Sequence, residues 1–459
     1  MESRASDVHG KPDGKSSQGI AKELGGTFMA RNRILVLLCV FAVLAVMIFA
    51  VAACGGTEET TTTAGPATTA GPATTAGPAT TAAGGGAAKT LKIGTIMPLT
   101  GPLSVVSLAF TRGWEIYADE VNAAGGVKIG NDTYKLEILY EDSKGSAEGA
   151  GTAASKLVNQ DKVQLIIGGL LESEMAAIYQ VTSPAGVLYA QAGSNIPGAP
   201  QDVSADKNLQ VRPFINHDDT QPIDLDYIAK TYPNAKKIAL SVPDIGYDSM
   251  VTSLTSEATA KGMQIVATEK WTWGTTDFTP VMTKLQSASP DVIWAMVSGQ
   301  ANDQLKAARQ MGFKGVFVSN SPLGADVIIA TVKDPAMLTD VLCNSPDVTH
   351  PNEGMTKIMN AWKAKWPNDG FVSDCIHAYD MPWIMVQAMQ KAASTDPTAV
   401  QTAIESMTNP GDVKTIEGDG YFGGKARFGV NRVLYRPLPL TRIMNGVAEF
   451  IGFMPPAAQ

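Results

Sequence analysis

The chain has 459 residues, 44% hydrophobic and 17% charged, with 36 Lys and Arg against 44 Asp and Glu. Without the first 53 residues, which hold six of the basic and four of the acidic side chains, 30 remain against 40, a net charge near −10. That acidity, with no basic cluster after Arg33, excludes nucleic acid as a partner.

Arg31 and Arg33 precede an unbroken apolar run from Ile34 to Ala53, which stops at Cys54 and two glycines. A positive flank, an apolar core and small residues ahead of a cysteine read as an export signal that closes on a lipid-acceptor residue, Cys54. A run of about 20 apolar residues also spans a bilayer, so an uncleaved anchor stays open. Either way the remainder lies outside the cytoplasmic membrane. Residues 1 to 28 are polar and glycine-rich, unlike the compact flank Met29 to Arg33, which makes Met29 an alternative start.

Residues 1–53 are thus extension and signal, and 54–89 a tether. In the tether Thr-Thr-Ala-Gly-Pro-Ala recurs through Pro66, Pro72 and Pro78, a composition that cannot build a core. Such a segment behaves as a coil of roughly 30 Å end to end, extensible to about 110 Å.

From Leu91 onward strands and helices alternate. Leu91 to Met97 reads as a strand, and the following helix carries Phe110, Gly113, Trp114, Tyr117 and Val121 on one face before Gly125-Gly126. Strands follow near 136–140, 165–168 and 187–190, with helices at 146–159 and 174–181. A second series begins after Arg212, with helices at 220–232, 249–261, 278–287 and 301–311. Its strands are at 237–242, 263–269, 292–297 and 316–319. Near-continuous apolar strands between helices imply parallel sheets covered on both faces, and two such series imply two lobes. Lys425 to Val430 reads as a strand.

Lys92-Ile93-Gly94, Pro98 to Pro102, Asn122 to Val127, Glu141-Asp142, Ile166-Ile167-Gly168, Thr276-Asp277-Phe278 and Tyr379-Asp380 stand in the order and spacing of one family. The chain resembles the leucine/isoleucine/valine-type (type I) periplasmic binding proteins, the extracytoplasmic receptors of ABC importers. The resemblance implies an α/β fold of two doubly wound parallel-sheet lobes joined by a three-crossing hinge. By that analogy lobe 1 holds 90–213 and 344–431, and lobe 2 holds 214–343 and 432–459. It also implies a monomer that carries a small-molecule ligand to an ABC transporter permease, held at the membrane by its lipid anchor, with no cofactor and no metal.

In an open parallel sheet, ligands sit beyond the carboxyl ends of the strands, where turns present backbone N–H groups and helix N-termini. Gly168 to Ser173 and Gln191 to Asn195 are two such turns. Similar turns in the family hold a ligand carboxylate, which makes Ser173, Ser194, Asn195 and the N–H of Gly193 candidates; small polar residues also simply cap and turn. Where the family usually has a serine, this chain has Glu172, which repels a carboxylate if it faces the ligand and is otherwise favoured by the helix dipole. Tyr247 matches a family tyrosine lining the cleft. Ser321 stands where an acidic residue normally takes the ligand ammonium, Ser298 where a tyrosine is common, and Val106 where an aromatic residue is. A branched-chain or hydrophobic amino acid, a small amide or a carboxylate all remain open as ligand.

Cys343 and Cys375 are the cysteines of the folded region; a disulfide and two buried thiols are both open. Catalytic motifs are absent: no His-Glu-x-x-His, no Gly-x-Ser-x-Gly, and a Gly418-x-Gly420-x-x-Gly423 spacing not followed by a helical pattern. No enzyme is expected. A sensing receptor ectodomain with an uncleaved anchor is the alternative to transport.

Overall fold

The computed structural model describes residues 87–456 apart from 102, 194–201, 216, 245–246, 297–298 and 321–323. The signal segment, Cys54, Ser194, Asn195, Ser298 and Ser321 therefore lie outside the described residues.

Two sheets carry the chain. The first has six strands in the order β2-β3-β1-β4-β5-β6. They are β1 (Lys89–Met97), β2 (Val127–Ile129), β3 (Asp132–Asp142), β4 (Leu165–Gly168), β5 (Leu188–Gln191) and β6 (Gln210–Val211). All pair in parallel except the β2–β3 hairpin. On β4, Leu165 and Ile167 join one core and Ile166 another, so both faces of the sheet are buried. This is why the strand reads as a continuous apolar run. One face is covered by α1 (Ser104–Ala123), the other by α2 (Ala147–Asn159) and α3 (Glu172–Thr182).

The chain then passes to a seven-stranded sheet, order β16-β15-β11-β10-β9-β7-β8. Its parallel strands are β7 (Lys237–Pro243), β8 (Gln264–Trp271), β9 (Val292–Ala295), β10 (Val316–Ser319) and β11 (Val341–Cys343). Helices α4 (His217–Thr231) and α5 (Asp248–Ala260) cover one face; α6 (Thr279–Ser287), α7 (Ala301–Gln310) and α8 (Ala325–Val332) cover the other. On β9, Val292 and Trp294 face the first group while Ile293 and Ala295 face the second.

After β11 the chain returns to the first lobe as α9 (Glu353–Lys365), α10 (Asp374–Ala392) and α11 (Pro397–Ser406). Gly113 lets α1 lie directly on α10: a Cβ there would stand 2.6 Å from the carbonyl oxygen of Cys375. A small antiparallel sheet follows, β12 (Val413–Thr415), β13 (Gly418–Gly423) and β14 (Val433–Tyr435). The chain then crosses for the third time and adds β15 (Leu438–Met444) and β16 (Val447–Met454) antiparallel to the second sheet.

Two expectations change, and of the two readings left open for Cys343 and Cys375 the buried thiols hold. The third crossing does not fall at 431, because β14 still pairs with β13 and the Leu434 N–H donates to the Arg212 carbonyl. Lys425–Phe428 is one turn of helix, α12, rather than strand: Gly424 and Gly429, at φ 102° and 76°, bracket it and the Gly424 carbonyl accepts the Phe428 N–H. Cys343 and Cys375 are free thiols and not a disulfide. They belong to the cores of different lobes.

Candidate functional site

The turn after β4 is fixed before any ligand is considered. Gly168, at φ 144°, has space for no side chain, since a Cβ would lie 2.1 Å from the Ile96 carbonyl oxygen. The Gly169 N–H donates to that same carbonyl at 2.9 Å, and the Tyr189 hydroxyl donates to the Gly168 carbonyl at 3.0 Å. β1 and β5 thus hold the turn from both sides.

The next two N–H groups, of Leu170 and Leu171, both donate to Glu174 Oε2, at 2.9 and 3.0 Å. Its Oε1 accepts from the Ser143 hydroxyl at 2.5 Å. A glutamate one turn into α3 therefore reaches back and occupies the donors that a helix start leaves open. Glu174 is fully buried, and the sequence reading did not single it out. Glutamate at the third helical position was the available signal.

Glu172, the first residue of α3, points to the other lobe: its Oε1 accepts a hydrogen bond from the Ser249 hydroxyl in the first turn of α5. Tyr247 precedes α5, packs on the core of the second lobe, and has its hydroxyl pushed up in pKa by burial and by the charges of Glu172 and Glu174. Glu172 and Tyr247 are thus brought together. Ser173 is exposed, and Gly193 is buried with a Cβ position 2.7 Å from the Leu170 carbonyl oxygen, so it admits close packing of the two turns. Val106 is half-buried against the first core. Trp271 is buried, stacked on Trp273 and edge-on to Phe278.

Where the lobes are joined, the structure places an ionic group that no local sequence signal announced. Arg436, just before β15, pairs with Asp380 and, at 2.9 Å, with Glu417. The Glu417 carboxylate also meets His377 Nε2 at 2.8 Å, and Asp374 Oδ1 lies 3.9 Å from His377 Nδ1. Burial raises both Asp374 and Asp380 to about 7, and it lowers His377. Asn344, which follows β11, donates to Asp224 of α4 at 2.9 Å, and burial raises Asp224 to about 7 as well. Among the described residues no cluster of three or more His, Cys, Asp or Glu could hold a metal, and no helix is long and apolar enough to cross a membrane.

Two α/β lobes, three crossings and facing turns at the strand ends agree with what comparison with known proteins gives. The profile of a family described as periplasmic binding protein matches residues 90–446. The chain belongs to the periplasmic binding protein family. Leu/Ile/Val-binding protein homolog 8 of Brucella abortus (strain 2308) is 24% identical over 358 residues, covering 74% of this chain and 85% of the relative. The leucine-, isoleucine-, valine-, threonine-, and alanine-binding protein of Pseudomonas aeruginosa is 25% identical over 327 residues, 70% of this chain and 84% of the relative. Among solved structures, the branched-chain amino acid transporter substrate binding protein LivJ from Streptococcus pneumoniae, in complex with isoleucine, superposes with a TM-score of 0.63 at 19% identity, covering 79% of this chain and all of that one. A solute binding protein of an ABC transporter from R. palustris, in complex with 4-hydroxybenzoate, gives 0.63 at 19% identity, covering 81% and 98%. These likenesses carry the fold.

Proposed function

We propose that this periplasmic binding protein is an extracytoplasmic solute-binding lipoprotein, anchored through Cys54 and its threonine- and proline-rich tether, that delivers a small solute to an ABC permease. The solute docks on the first lobe at the turns holding Glu172, Ser173, Gly193, Ser194 and Asn195. The second lobe closes on it with Tyr247, Ser298 and Ser321. Lobe 1 comprises 90–213 with 344–435, lobe 2 the intervening and terminal segments. The solute class is that of the relatives: a branched-chain or hydrophobic amino acid, or a related small amide or acid. The protein performs no chemistry on it.

The observation that supports this reading most is the hydrogen bond from Ser249 to Glu172, which joins the strand-end turn of one lobe to that of the other. Only a solute with higher affinity for the closed arrangement can drive closure. Thermal unfolding of the purified full chain against amino acids, their amides and small carboxylic acids tests it. At a ligand concentration of 100 Kd the stabilisation is about 2.7 kcal/mol, a rise of several degrees in Tm. A flat response across all three classes refutes solute binding of this kind.

A further inference from the structure

We infer that Glu172 and Ser249 form a latch between the lobes, so that the clamp already visits its closed form before a solute arrives. The inference rests on the reading of the molecule as a hinged clamp and adds an intrinsic closing device to it. Glu172 begins α3 of the first lobe, and its Oε1 accepts from the hydroxyl of Ser249, the second residue of α5 in the other lobe. The carboxylate therefore lies at the positive ends of two helices from different lobes, which favours its charge from both sides. Its neighbour is not free for the role: Glu174 accepts from the N–H groups of Leu170 and Leu171 and from the Ser143 hydroxyl, all in the first lobe. Both partners of the latch belong to the protein, so the bond needs no solute to form.

Topology places the contact where hinge motion acts on it. In the first sheet β4, which leads to Glu172, is two strands from β6, where the chain leaves for the second lobe. In the second sheet β7, which leads to Ser249, is three strands from β11, where the chain turns back. At about 4.8 Å between strands these are lever arms of roughly 10 and 14 Å. A rotation that opens the lobes thus draws Ser249 off Glu172. By contrast, the pair of Arg427 in α12 with Asp219 in α4, at 3.3 Å, stands beside the first crossing and moves little. Tyr247, the residue before α5, feels the charges of both Glu172 and Glu174, so a second residue sets the start of α5 against the start of α3. A hydrogen bond to an ionised carboxylate is among the stronger kinds, and the solute then shifts an equilibrium already in place.

Single-molecule energy transfer tests this, with dyes carried on azidophenylalanine at the exposed positions of Glu148 in α2 and Ser256 in α5. It counts closed and open molecules of the full chain with no solute added. The expected result is a closed population in the native chain and a closed-to-open ratio lower by about tenfold in Ser249→Ala, folded by circular dichroism. Glu172→Ala opens the chain at least as far, and the double variant opens no further than Glu172→Ala alone, because the two side chains act through one bond. A Ser249→Ala ratio equal to the native one, or a double variant in which the two effects add, overturns the latch. The clamp reading survives that outcome if isoleucine or 4-hydroxybenzoate still moves the chain to the closed form. One fixed state in the native chain and every variant, with either compound as without, counts against both.

Discussion

Asp380 of α10 and Arg436, between β14 and β15, form an ion pair in which both side chains are shut off from solvent. Arg436 is the last residue before Pro437 and β15, and it grips Glu417 as well, so it fastens the third crossing to the body of the first lobe. Replacing it with methionine strands two buried carboxylates. Arg436→Met is expected to lower the free energy of unfolding by about 3–5 kcal/mol in urea titration. A loss below about 1 kcal/mol would show that the pair contributes little.

Asp224 gives a pH dependence with a definite sign. Its carboxyl is raised from 3.8 to about 7, chiefly by burial, with the Asn344 hydrogen bond opposing the rise. The folded protein therefore keeps a proton that the unfolded chain releases, and stability present below pH 4 is lost as pH rises to 7. Asp374, also near 7, acts in the same direction. Asp224→Asn should match the native chain near pH 4 and exceed its stability at pH 7 by about 1–3 kcal/mol. Parallel pH profiles for the two proteins would contradict this.

Two helical glycines should respond oppositely to alanine. At Gly113 a methyl group meets the backbone of α10, and Gly113→Ala should cost about 1–3 kcal/mol as the helices separate. At Gly151, within α2, nothing lies within 4 Å of the Cβ position, and Gly151→Ala should stabilise by about 0.5–1 kcal/mol. Thermal scans of both variants read the signs directly.

Cys343 and Cys375 should resist iodoacetamide in the native protein and react once it is unfolded without reductant. Both are buried, and burial pushes both thiols far above their ordinary pKa. Peptide mass mapping that finds either residue unalkylated after denaturation would restore a bridge.

Mass spectrometry of membrane-extracted protein tests the anchor. The expected species begins at Cys54 with a diacylglyceryl group, and an intact Met1 or Met29 would instead favour an uncleaved anchor.

The parallel strands were legible because both faces of each sheet are buried: β4 and β10 appear in the sequence as short apolar runs, Leu165 to Ile167 and Val316 to Val318. The short β6, two residues long, has no room to show a period. Glu172 and Tyr247 were singled out by their places in a known pattern, whereas their meeting across the lobes is a tertiary fact. Glu174 was passed over because a capping glutamate is commonplace. The group around Arg436 joins residues from α10, the β12–β13 turn and the third crossing, and no window of sequence contains them together.

Arg112 of α1, lying over the rings of Trp362 and Trp366, also pairs with Asp369, 257 positions later. The first lobe therefore lacks part of its own interior until the chain has travelled out through the second and back. During export the second lobe holds most of its core in one uninterrupted stretch and is free to consolidate early. The half expected to greet the solute is thus the half that must wait, unfinished, for the last quarter of the polypeptide to emerge.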